Sequence, residues 1–179
     1  LEKNHSSDDL ANAIEISQTN NIDIRPTWMP FSPWTNQNDL IDIIKLIENY
    51  KLRETVDPIQ LTIKLLIPKN SLILQRSEIK GYLKDYDKNS LSYMWDYKDE
   101  EVNKLQVSLF NYLLDTPDLD EHSQYLGMVK IIENMTQSNL ISDLNYSYKN
   151  VPKLSETWFC CAEPSQIQLD RIKTNTALI

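Results

Sequence analysis

At 179 residues the chain is long enough to bury one core. Only 2 of those residues are glycine, so neither common nucleotide-binding loop can be written, and a formal charge of −8 with no Lys/Arg block gives nucleic-acid binding no support. No apolar run reaches the ~18–20 residues of a membrane span and no signal peptide is expected, while two cysteines without a disulfide framework suit a reducing, cytoplasmic setting.

Taken in chain order, Ser6 and Ser7 followed by Asp8 and Asp9 read as a helix start, and Leu10, Ala13 and Ile14 give its apolar stripe up to Asn20-Asn21. Ile22 to Trp28 alternates and reads as a strand. Pro30 and Pro33 then force a rigid loop, since neither can continue a central strand. Thr35 is the expected cap of a second helix whose stripe is Leu40, Ile43, Ile44 and Ile47. Ile59 to Ile67 alternates again, with Ile59, Leu61, Ile63, Leu65 and Ile67 on one face. Helix, strand, helix, strand is the grammar of a parallel sheet. Beyond Asn70 the pattern turns helical. Asp99-Glu100-Glu101 opens a helix carrying Val102, Leu105, Leu109 and Leu113, which stops at Thr116-Pro117. Asp120-Glu121 opens another with Tyr125, Met128, Val129 and Ile132. From Asn145 onward the chain reads as irregular.

The opposite faces of the two expected strands are polar: Asp23, Arg25 and Thr27 on the first, Gln60, Thr62 and Lys64 on the second. Strands of a closed (β/α)8 barrel are apolar on both faces. A barrel built with these strands therefore has a polar or open lumen, while a sheet with one solvated face explains the pattern as well. Trp28, Phe31, Pro33 and Trp34 follow the first strand, where α/β enzymes place their chemistry, although an apolar plug under the loop is the commoner role of such a cluster.

Near the C-terminus stands Trp158-Phe159-Cys160-Cys161-Ala162-Glu163-Pro164, which holds both cysteines of the chain. Neighbouring Cα atoms lie ~3.8 Å apart and a relaxed disulfide wants ~4.4–6.8 Å, so a Cys160–Cys161 bridge would be strained and easily reduced. A buried thiol is the usual fate of a free cysteine and suits Cys160 after two aromatic residues, leaving Cys161 as the displayed one. This run resembles the tail of the radical S-adenosylmethionine (SAM) proteins with a Cys-Cys-Ala-Glu-Pro or Cys-selenocysteine-Ala-Glu-Pro signature, in which the selenocysteine position falls on Cys161. The stretches Arg25-Pro26-Thr27-Trp28-Met29-Pro30-Phe31-Ser32-Pro33-Trp34-Thr35 and Val56-Asp57-Pro58-Ile59-Gln60-Leu61-Thr62-Ile63-Lys64-Leu65-Leu66-Ile67-Pro68 are similar to segments of the same proteins. Residues from about Ser77 to Pro152 add little to the resemblance.

The resemblance implies an α/β fold: the last strands and helices of a partial (β/α) radical SAM barrel over residues 1–76, a helical extension over 77–144, and an irregular thiol-bearing tail over 145–179. It implies a 4Fe–4S cluster and SAM as cofactors, with cobalamin in some relatives. It also implies an electron donor, a small-molecule or peptide substrate, and the upstream part of the same polypeptide as partners. Arg25, Thr27, Gln60 and Lys64 would line the lumen and bind the cofactor, Arg25 and Lys64 through a carboxylate. Cys161 and Cys160 would be the catalytic pair, as hydrogen-atom donor, ligand or redox partner. A cluster of this kind needs three cysteines, typically Cys-x3-Cys-x2-Cys, and the chain has two side by side. The chain also opens on Leu1 instead of Met, so it is expected to be the C-terminal piece of a longer enzyme, inactive alone, and a decayed copy is the other explanation. The rival reading is a non-enzymatic helical interaction module or a redox-sensing domain.

Overall fold

The computed structural model describes residue 4 and residues 6–141. The cysteine pair and the stretch 145–179 lie outside the described residues. Ser6 opens α1 (Ser7–Thr19) with a capping box: the Ser6 hydroxyl accepts from the Asp9 N–H at 3.3 Å and the Ser6 N–H donates to the Asp9 carboxylate at 2.7 Å. Asn36 and Asp39 repeat the device for α2 (Gln37–Asn49). Thr35, expected as that cap, is instead buried one residue earlier. Its hydroxyl accepts from Ser32 N–H and donates to the Pro30 carbonyl, both at 2.9 Å, and so closes the proline loop.

Beyond residue 70 the chain is not uniformly helical. Two short 3-10 turns (Leu72–Gln75 and Ser77–Ile79) lead into an antiparallel hairpin, β1 (Leu83–Asp87) and β2 (Ser92–Trp95), with a bulge between Leu83 and Tyr86. Asp87 nucleates its turn by accepting from the N–H groups of Asn89 and Ser90. The Asn89 bond, followed by those from Ser90, holds its carboxyl below the usual range. Then α3 (Glu100–Asp115) and α4 (Glu121–Thr136) start at Asp99 and Asp120, as the periodicity predicts, and bury the expected stripes.

Neither expected parallel-sheet strand forms. Residues 22–30 have no regular secondary structure, and Pro58–Thr62 is a 3-10 turn. The reason is local: Pro58 sits at the first turn position, where its fixed φ favours a helical start, and the Thr62 hydroxyl bonds the Ile59 carbonyl at 2.8 Å. What survives is one parallel bridge, Phe31 to Lys64. Phe31 donates to the Ile63 carbonyl (3.2 Å) and accepts from Leu65 N–H (2.7 Å). The chain after it flanks the hairpin, with Tyr93 N–H bonding the Ile67 carbonyl at 2.8 Å and Trp95 Nε1 bonding the Leu65 carbonyl at 2.9 Å. The described chain is thus α/β in content, with four helices and a small two-stranded antiparallel sheet.

One large apolar core joins Ile14 of α1, Phe31, the Leu40–Ile44–Ile47 stripe of α2, Leu61, and the inner faces of α3 and α4. A second, smaller cluster of Leu65, Ile67, Ile79 and Trp95 lies under the hairpin, and Tyr97 packs against both. Within the large core, the Glu48 carboxylate of α2 accepts from the buried Arg53 guanidinium and from the Tyr125 hydroxyl of α4 at 2.7 Å. Helices α3 and α4 approach closely where Gly127 faces Tyr112: a Cβ on Gly127 would lie 2.0 Å from the Tyr112 hydroxyl oxygen.

Candidate functional site

The four expected cofactor-binding residues sit on the two segments joined by the Phe31–Lys64 bridge, but in different environments. Arg25 forms an ion pair with Asp57, whose side chain is buried. Gln60 is 2% exposed, and its Oε1 accepts from Trp28 N–H at 2.9 Å. These two contacts tie the Arg25–Trp28 stretch to the Asp57–Gln60 turn. Thr27, beside them, is exposed. Asp23 is exposed as well, whereas Thr62 is buried and its carbonyl takes the Gln106 side chain at 3.1 Å. The single polar face expected from alternation is therefore not present, because a 3-10 turn sends alternate residues in directions a strand would not.

Lys64 has the most unusual surroundings. Its ammonium lies 5.0 Å from the Trp95 ring centroid and 5.3 Å from that of Tyr97, which themselves stack edge to face at 4.7 Å. Phe31 meets Tyr97 edge-on at 6.3 Å. One donor belongs to this neighbourhood, the Tyr97 hydroxyl, and a second lies on the Arg25–Trp28 segment. Trp28 Nε1 and the Tyr97 hydroxyl are both buried and meet no hydrogen-bond partner among the described residues. Burial holds the Tyr97 phenol well above its ordinary pKa, so at neutral pH it is a proton donor and not a base. The Lys64 ammonium and the Tyr97 hydroxyl are a cation and a neutral donor, groups that suit a carboxylate or carbonyl.

Trp95 and Tyr97 were not legible as site residues while 71–98 read as helical. The signal was present in Tyr93, Trp95 and Tyr97, aromatic at every second position after the Asp87-Lys88-Asn89 turn. Asp57 was likewise visible only as part of a motif. Cys160 and Cys161 lie outside the described residues. Among the described residues no group of three His, Cys, Asp or Glu side chains could hold a metal ion. The 4Fe–4S cluster does not fit this chain, whose two adjacent cysteines cannot provide three ligands. No helix of the described residues is long and apolar enough to cross a membrane. Comparison with protein-family models, curated proteins and solved structures gives no match.

Proposed function

We propose that this chain is the C-terminal part of a radical SAM enzyme of the family with the Cys-Cys-Ala-Glu-Pro tail. Three separated motifs in the family's order carry the reading. One structural observation supports it most: two of those motifs lie side by side, running parallel, with α2 between them in sequence. That is the connectivity of a β-α-β unit, reduced here to a single bridge at Phe31 and Lys64. A partial (β/α) barrel in the longer protein would extend it.

In this reading the cluster and the residues that hold it belong to the upstream chain, where reductive cleavage of SAM supplies a radical to an unidentified substrate. This chain's own contribution is the edge of the ligand site. Lys64 presents a positive charge against the Trp95 and Tyr97 rings, and the Tyr97 hydroxyl is a donor for a carboxylate or carbonyl group. Arg25 and Gln60 hold the loop in place through Asp57 and the Trp28 backbone. Cys161, with Cys160, supplies the thiol function.

The coding sequence upstream of Leu1, read in the same frame, tests the proposal. A continuous frame containing Cys-x3-Cys-x2-Cys is the expected result. A frame that starts just before Leu1 overturns it and leaves the interaction-module reading.

A further inference from the structure

Helix α3 carries two apolar stripes. Val102, Leu105, Leu109 and Leu113 face the core. Val107, Phe110 and Leu114, spaced i, i+3, i+7, share a second face about half a turn from Tyr112, the residue that meets Gly127 of α4. Val107 is 47% and Leu114 39% exposed, and Phe110 is half-buried and belongs to neither apolar cluster. A single exposed aliphatic needs no explanation, but three apolar residues in register on one helix do. The surroundings of this stripe are acidic. From Asp99 to Glu121 seven Asp/Glu stand against Lys104 alone. Lys104 already pairs with Glu101 at 2.6 Å, so the exposed Glu100, Asp115 and Asp118 set the local sign.

The chain leaves the described residues close to this helix. The Glu133 carboxylate accepts from the N–H groups of Leu140 at 2.6 Å and Ile141 at 3.2 Å, and Leu140 is buried in the large core. The chain is thereby held at the C-terminal end of α4. Gln124 bonds the Thr116 carbonyl and Gly127 faces Tyr112, contacts that step in opposite directions along the two helices. Helices α3 and α4 are therefore antiparallel, and the end of α4 lies beside the start of α3. Residues 144–155 begin three positions after Ile141 and lie outside the described residues. They contain Lys149 and Lys153 and no acid, among Leu144, Tyr146, Tyr148, Val151 and Leu154. Ten extended residues span up to ~35 Å, more than the ~24 Å length of α3.

We propose that the outer face of α3 is the docking site for this chain's own segment 144–155. Aromatic and aliphatic side chains of the segment cover Val107, Phe110 and Leu114, and Lys149 and Lys153 meet the carboxylates at the rim of the stripe. The tether at Ile141 makes the contact intramolecular, so it forms where a free peptide of the same sequence would bind weakly. Like-charge repulsion disfavours an acidic occupant, and a second copy docked through α3 would set one acidic face against another. The contact would anchor the chain five residues ahead of Cys160 and limit where the thiol pair can reach. The inference does not depend on the radical SAM reading.

The test uses the full chain and a carbodiimide, which joins a lysine amine to a carboxylate in contact with it as an amide, with loss of water. Mass spectrometry is expected to find Lys149 or Lys153 joined to Glu100, Asp115 or Asp118 within one chain. Trypsin reads the same contact through the rate of cleavage after Lys149 and Lys153. Val107→Asp with Leu114→Asp should speed that cleavage about tenfold and remove the cross-links, because cleavage follows the population of the open state. Both positions are exposed, so the melting temperature should stay close to that of the native chain. Ile16→Asp with Ile22→Asp, exposed aliphatics at α1, should leave cleavage and cross-links unchanged. Raising NaCl from about 50 to about 500 mM tests the charges without any substitution and should speed the same cleavage severalfold in the native chain. Cross-links that run to other carboxylates or between two isotopically distinct copies, the absence of any cross-link, or cleavage equally fast in the native chain and in Val107→Asp with Leu114→Asp would each overturn the proposal.

Discussion

Tyr97 carries a hydroxyl that is buried without a partner among the described residues, next to a ring system that holds Lys64. Replacing it with Phe removes an unsatisfied polar atom and keeps the ring. Tyr97→Phe should therefore stabilise the fold by about 1–2 kcal/mol in denaturant unfolding. The same burial raises the phenol's folded pKa above its unfolded value of about 10. Stability is then fully present below pH ~10 and lost as pH rises through that range, because the unfolded chain ionises where the folded one cannot. Unfolding followed between pH 8 and about 11 should show this loss in the native chain and a smaller one in Tyr97→Phe. Glu48 is the opposite case, a partly buried carboxylate whose partners are present. Glu48→Leu leaves the Arg53 guanidinium, 3% exposed, without that counter-charge and should cost about 3–5 kcal/mol. Gly127→Ala should lower stability despite a helix propensity gain of about 1 kcal/mol, since the Tyr112 ring occupies the Cβ position. In a Tyr112→Ala background the same change should become stabilising.

Helix ends show what a chain with 2 glycines does where glycine is usual. After α1, α2 and α4 the left-handed residues are Asn21, Lys51 and Gln137, each followed by an N–H that bonds back to the helix: Ile22 to Ser17, Leu52 to Ile47, Ser138 to Glu133. Gln137→Gly should relieve the left-handed strain and add about 1 kcal/mol, read as a higher denaturant midpoint with an unchanged slope. The helices themselves were legible in the sequence because caps and apolar periodicity agree: Ser6, Asp99 and Asp120 mark starts, and the stripes of α3 and α4 are the buried residues. The expected strands do not form, for two physical reasons. Alternation at Ile59–Ile67 was overridden by Pro58, which sets a 3-10 turn, and at Ile22–Trp28 no neighbour among the described residues completes a ladder. The hairpin is not legible in the sequence because its turn, Asp87-Lys88-Asn89-Ser90-Leu91, contains no glycine to announce it.

Across the whole molecule, the two motif-bearing segments that read as independent strands are joined to the helical half by shared burial: Phe31 and Leu61 lie in the same core as Leu105, Leu109 and Met128. Of the expected site, Lys64, Gln60 and Arg25 are fixed by contacts that only the fold supplies, and Thr27 stays at the surface. The aromatic partners of Lys64 come from 31 or more residues further along the chain, a separation that no local pattern encodes. The most direct measurement is the iron content of the native polypeptide that carries this sequence, isolated without oxygen and assayed for SAM cleavage under dithionite. A polypeptide longer than the 21.0 kDa of this chain, holding about four irons and releasing 5′-deoxyadenosine, is the predicted result. An iron-free polypeptide of 21.0 kDa that leaves SAM intact would contradict it.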